Sequence, residues 1–265
     1  MSAITYMPAL AGHYGFRQAV RMEWIKLRSL RSTMYALLLT VVGMIAMGVV
    51  TMANTKAPQG ASKVAAFDPT NNVLAGVALG QLIIGVLGVL VISGEYASGT
   101  IRSTLAAVPD RRLALAAKAA VFGGLALLIG EVVTFVTFLA GTAALSPGVP
   151  GPSLGDPAVL RAVLMSGAYL AMVGLMGLGI GAITRHTASA IGVLVGITYV
   201  LPALLAGTTG TAVAKFFPTM IAGNSLAVTV PVDGMLSPWA GFGVLCLYTV
   251  ALLAVADRLL ARRDA

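Results

Sequence analysis

Residues 72–93 read NVLAGVALGQLIIGVLGVLVIS, a run without a single charge. As a helix it reaches about 33 Å, enough to cross the ~30 Å hydrocarbon core of a bilayer. A strand of a membrane barrel would alternate apolar and polar positions over ~10 residues. This run is longer and continuously apolar, so it reads as a transmembrane helix. Similar runs lie at about 33–53, 116–145, 159–183, 187–207 and 237–256. The composition agrees: 58% of the 265 residues are hydrophobic and 10% are charged, against roughly 25% charged in a soluble domain. A water-soluble enzyme this poor in charge could not cover its own surface. The expected fold is an all-α membrane protein with six transmembrane helices, forming one transmembrane domain over 1–265. The 116–145 run exceeds one crossing, so it is expected to tilt or to project past the membrane.

Basic residues set the orientation. Arg17, Arg21, Lys26, Arg28 and Arg31 precede span one, and Arg102, Arg111, Arg112 and Lys118 separate spans two and three. Arg185 lies between spans four and five, and Arg258, Arg262 and Arg263 follow span six. Only Lys56, Lys63, Arg161 and Lys215 fall on the other side. Since basic residues concentrate in cytoplasmic loops, both termini are expected in the cytoplasm. The net charge of +8 follows from this distribution and points to no nucleic-acid partner. The opening MSAITYMPALAGHYGF has no basic residue before Arg17, so a secretory signal is not expected.

The outer segments differ from one another. SPGVPGPSLGDP at 146–157 is a turn-rich surface loop. Residues 208–236 are too apolar for a plain loop, are broken at Pro218, and have halves too short to span. They are expected to form short re-entrant helices before the last span. Inside the spans, Gly76 and Gly80, Gly177 and Gly181, and Gly192 and Gly196 repeat the small-xxx-small spacing that lets helices approach closely. Pro202 removes a backbone donor and should kink span five near its outer end. Cys246 sits in an apolar run as a packing residue, and a single cysteine forms no internal disulfide.

Motifs for chemistry are sparse. None of the five lysines sits in a GxxxxGK[ST] loop, so the chain has no recognisable means of hydrolysing ATP. His13 and His186 lack neighbouring ligands for a metal. The Gly223–Leu226 GNSL sequence loosely matches the serine motif of rhomboid proteases but has no intramembrane histidine base. Glu131 is the one full charge well inside a span. A buried acid there costs of the order of 2.5–3.5 kcal/mol on insertion scales unless it faces the bundle, a subunit interface or water. It reads equally as part of a substrate path and as a structural hydrogen-bonding group.

Two segments on the basic side carry more. Residues 15–31, GFRQAVRMEWIKLRSLR, place Phe16, Val20, Trp24, Leu27 and Leu30 on one helical face, with Arg17, Arg21 and Arg28 along its border. That pattern suits an amphipathic helix in the membrane interface, its tryptophan at headgroup depth and its arginines toward phosphates. Residues 94–112, GEYASGTIRSTLAAVPDRR, are long for a connector. A short helix from about Ser98 to Val108, ended by Pro109, would suit docking on a cytoplasmic protein.

EWIKLRSLRS before span one, GEYASGTIRSTLAAVPDRR after span two, EVVTF around Glu131 and the broken outer segment together resemble a permease subunit of the ABC-2-type family of ABC transporters. The resemblance implies a membrane half-unit paired with a separate ATP-hydrolysing subunit and with a second permease subunit, identical or related. ATP and magnesium would bind in the ATPase partner, with no cofactor in this chain. The 94–112 loop would hold the coupling helix. Glu95, Tyr96, Gly99, Thr100, Ile101 and Arg102 match the family's polar stretch there and are expected at the ATPase contact. Export of a drug-like, peptide or lipidic substrate across the cell membrane is implied. A membrane-embedded assembly protein without transport activity is the alternative.

Overall fold

The computed structural model describes residues 15–29, 31–58, 67–146, 148–228 and 234–262. Leu30, His13, Lys63 and Arg263, each invoked above, lie outside these residues, as do 229–233 of the outer segment. The regular structure among the described residues is helical. The amphipathic helix α1 (Phe16–Ser29) precedes α2 (Arg31–Ala53). α3 (Pro69–Val73) continues through the 3-10 turn Leu74–Gly76 into α4 (Val77–Ala97), and α5 (Ile101–Ala107) is a short helix beyond it. α6 (Arg111–Ala143) and α7 (Pro157–Thr184) follow. α8 (Thr187–Val195) passes through the π-helical turn Gly196–Val200 into α9 (Leu201–Thr209). α10 (Thr211–Ala214), α11 (Pro218–Leu226) and α12 (Pro238–Arg262) complete the order.

Six stretches are long and apolar enough to cross a membrane: Arg31–Ala53, Pro69–Ala97, Arg111–Ala143, Pro157–Thr184, Thr187–Thr209 and Pro238–Arg262. The protein is an all-α, six-span membrane protein. α6 has 33 residues, about 50 Å of helix, so it outruns one crossing as its length requires.

Helix starts follow from local chemistry. The Asp110 carboxylate accepts from the amides of Arg112 and Leu113 at 3.0 and 3.2 Å, and that of Asp156 accepts from Ala158 at 2.8 Å. Each satisfies donors that a helix N-terminus leaves open. Asp68 Oδ1 caps α3 through Thr70 and Asn71, while its Oδ2 accepts from the Val228 amide at 2.6 Å. That second bond ties the end of the outer segment to the start of span two. α5 begins later than the Ser98 expected from sequence. Gly99 adopts φ +72°, a left-handed turn that glycine accommodates and that separates α4 from α5. Val108 is extended, φ −126° and ψ 89°, as a residue before proline should be.

α7 is the central helix and packs against α4, α6 and α12. Glycines bring its backbone against that of α4. A Cβ added at Gly177 would overlap the Gly85 carbonyl, and one at Gly88 would overlap the Gly174 carbonyl. The Gly76 and Gly80 pair packs in the same way on Met44 of α2. The Gly192 and Gly196 pair meets nothing within 4 Å, so of the three spacings read from sequence, two are used inside this chain.

Polar contacts mark the two ends of the bundle. At one end Arg111 Nη1 donates to the Leu260 carbonyl at 3.1 Å, and Thr187 Oγ1 donates to Ser93 Oγ at 2.9 Å. At the other, Arg161 Nη2 donates to the Ala227 carbonyl at 3.3 Å beside the Asp68 contact. α1 and the end of α12 therefore lie at the same, basic end.

The outer segment dips into the bundle. Pro202 cannot donate to the carbonyl four residues before it, that of Thr198, and the preceding turn widens into the π form. The Thr219 hydroxyl of α11 donates to that same carbonyl. Thr198 is eleven residues before the end of α9, about 16 Å down the helix, so α11 starts deep and returns outward. The chain reverses at Gly210, φ +62°, as well as at Pro218.

The glycine contacts yield a test. Gly177→Ala should destabilise the protein by about 1–3 kcal/mol through overpacking. Gly124→Ala, where an added Cβ meets nothing within 4 Å, should be neutral or stabilising by up to about 1 kcal/mol through helix propensity. Denaturant unfolding of the two variants in detergent micelles checks the contrast.

Candidate functional site

Five side chains from four helices meet at the basic end. Glu23 and Lys26 lie three residues apart on α1, and Glu95 lies near the end of α4. Thr104 comes from α5 and Lys118 from the second turn of α6. Lys118 Nζ donates to Glu23 Oε2 at 2.6 Å and to Glu95 Oε1 at 2.7 Å. Lys26 Nζ donates to Glu23 Oε1 at 2.9 Å, Glu95 Oε1 at 3.0 Å and Thr104 Oγ1 at 2.9 Å. Each ammonium thus touches both carboxylates, and the four formal charges cancel.

Burial makes that cancellation necessary. Glu23 is 1% exposed and Lys118 is 4% exposed. An isolated ion taken out of water costs several kcal/mol even after relaxation. Local packing explains how α1 reaches the site. Ala19 sits against Ala114 and Ala117 of α6 and Val108 after α5, with Leu105 and Leu113 around them. These small residues let α1 lie close enough for Glu23 to reach Lys118. Burial alone would lower the pKa of Lys26, but the hydrogen bonds and charges of Glu23 and Glu95 outweigh it and hold it above the ordinary 10.5. Its stabilising contribution is therefore full at neutral pH and is lost only as pH rises past 10.5 through the raised value.

The residues expected from sequence at a docking surface divide between two faces. Gly99, Thr100 and Arg102 are exposed, whereas Ile101 is buried and Glu95 points into the charge cluster. Tyr96 is half-buried, its ring 5.2 Å from the Arg185 guanidinium carbon, and its hydroxyl is buried without a hydrogen-bond partner among the described residues. On α1 the buried face is Ala19, Glu23 and Leu27. Arg17, Arg21, Trp24 and Arg28 are exposed, so Trp24 stands with the arginines and Phe16 is also outside. The apolar stripe read from sequence is shared between protein and surroundings, because Glu23 within it must face Lys118.

Glu131 lies far from this cluster. Its side chain rests on Gly167 of α7, where an added Cβ would come within 2.5 Å of the carboxyl carbon. Glu131 Oε2 is buried with no hydrogen-bond partner among the described residues.

Glu23, Lys26, Thr104 and Lys118 as a site were missed in the sequence. The signal was present in part. Glu23 falls seven residues after Phe16 and four before Leu27, in the middle of the apolar face. Glu95 and Lys118 are opposite charges just inside the same end of two adjacent spans.

A six-span helical bundle with a buried charge cluster joining α1 to α4, α5 and α6 defines a polytopic membrane protein. The family model described as an ABC-2 family transporter protein matches residues 19–203. That covers more than half of the chain and all five residues of the cluster, and the chain belongs to this family. No curated protein matches it.

The cluster's charge balance can be tested directly. Lys118→Met leaves two carboxylates with one ammonium and should cost about 3–5 kcal/mol. Adding Glu95→Gln restores neutrality and should recover a large part of that loss. A double-mutant cycle by chemical denaturation of the full chain reads the coupling.

Proposed function

We propose that this chain is the permease subunit of an ATP-driven exporter, in which two such subunits form the pathway and separate ATPase subunits supply the energy. The observation that carries the reading is the arrangement of α5. Its outer face offers Thr100, Arg102 and Ser103, while its inner face is anchored by Ile101 and by Thr104, which accepts from Lys26. Closure of an ATPase pair on ATP would push α5. Through Thr104, Glu95 and Lys118 that push would reach α1, α4 and α6 together. Both termini are then cytoplasmic in the cell membrane. Hydrolysis, ATP and magnesium belong to the partner. Glu131, with a buried unpartnered carboxylate oxygen, serves in this reading as a polar element of the path for a drug-like, peptide or lipidic substrate.

Arg102→Glu reverses an exposed charge on the proposed docking face, so the bundle should remain folded. Transport should fall at least tenfold relative to ATP hydrolysis in the reconstituted complex. Wild-type transport in that variant removes Arg102 from the contact. Orientation is checked independently with Cys246→Ala as background. Cysteines at Gly151 should label from outside intact cells, whereas cysteines at Arg112 and Arg262 should not.

A further inference from the structure

The outer side of α1 presents a second chemistry. Arg17, Arg21 and Arg28 recur at spacings of four and seven, so they share one helical face, and all three are exposed. None of them is in an ion pair among the described residues. Glu23, the single acid of α1, is turned inward to Lys118 and Lys26. The positive stripe is thus not neutralised by its own helix. Trp24 stands within it at 46% exposure, flanked by exposed Phe16 and Ile25. Arg17, Gln18, Val20, Arg21 and Trp24 line an open cleft of about 580 Å³.

We infer that this stripe binds the headgroups of anionic phospholipids. One residue separates the end of α1 from the start of span one, so α1 is held at the level where the hydrocarbon begins. Guanidiniums there meet phosphates, and the indole and its apolar neighbours enter the acyl boundary. An acidic protein surface would satisfy the arginines but would leave Trp24, Phe16 and Ile25 unmatched. The membrane satisfies both. α1 is then fixed from two sides, by the charge cluster within and by lipid charge without. This inference needs only the membrane-spanning fold and stands apart from any ATPase contact.

The test uses the full chain with Trp239→Phe, which leaves Trp24 as the sole tryptophan. The protein is reconstituted in phosphatidylcholine vesicles with phosphatidylglycerol or phosphatidylcholine brominated high on the acyl chains. Brominated phosphatidylglycerol should quench Trp24 with an apparent preference of about fivefold or more, the factor one basic side chain near an anionic surface supplies. Raised salt should reduce that preference. Replacing the three arginines with glutamine should bring it near parity, while replacing them with lysine should keep it, which separates charge from any effect on folding. Equal quenching by the two lipids in the parent overturns the inference, as does a preference unchanged in the glutamine variant. Quenching by neither lipid places α1 against protein and overturns it too.

Discussion

An ammonium at 4% exposure in a helix bundle carries a heavy desolvation cost unless carboxylates are brought to it, and Lys118 receives two. That requirement organises the basic end. Glu95 is supplied by the neighbouring span, but Glu23 comes from a helix ninety-five residues earlier in the chain, folded back across the bundle. If α1 moves away, Lys118 loses one counterion and Glu23 is stranded. If α5 moves away, Lys26 loses the Thr104 hydroxyl. The cluster is therefore less a source of net stability, since buried ion pairs seldom are, than a condition that all four helices hold one arrangement. Its position outside the deepest part of the spans suits this role, because Lys26 keeps its side chain 31% exposed and in touch with water.

Behind the cluster stands a closely packed pair. α4 and α7 approach backbone to backbone where Gly88 faces the Gly174 carbonyl and Gly177 faces the Gly85 carbonyl. Glu95 is on the same helix, two turns beyond Gly88. The charge network is thus anchored to a pair of helices in close backbone contact. α2, α8, α9 and α12 turn larger shares of apolar surface outward than α4 and α7. Glycine pairs find partners at this centre, whereas those at Gly192 and Gly196 find none among the described residues.

Much of this was legible in the sequence, and the part that was not has a definite cause. Apolar runs of bilayer length located the six spans, with ends displaced by up to six residues, and Pro109 and Pro202 marked a helix end and a distortion. The family pattern around Glu95 to Arg102 pointed to the family that the chain belongs to. The charge cluster escaped because its members are spread from residue 23 to residue 118, and periodicity reports only on neighbours along one helix. Lys118 counted toward orientation as a loop cation, although it lies in the second turn of α6. Glu23 broke the apolar face of α1, and that breach was the available hint. Equally, Pro202 was read as removing a backbone donor and kinking span five, but nothing in the sequence pointed to the Thr219 hydroxyl as a partner for the Thr198 carbonyl.

That contact bears on how the outer segment can move. Inside hydrocarbon an abandoned carbonyl finds no solvent, so Thr198 accepts from the Thr219 hydroxyl or must be given another donor. Interhelical hydrogen bonds in membranes average only ~0.6 kcal/mol when exchanged for another partner, but the penalty is several-fold larger when nothing takes their place. Separating Thr219 from Thr198 therefore costs more in dry lipid than where another hydrogen-bond donor can take its place.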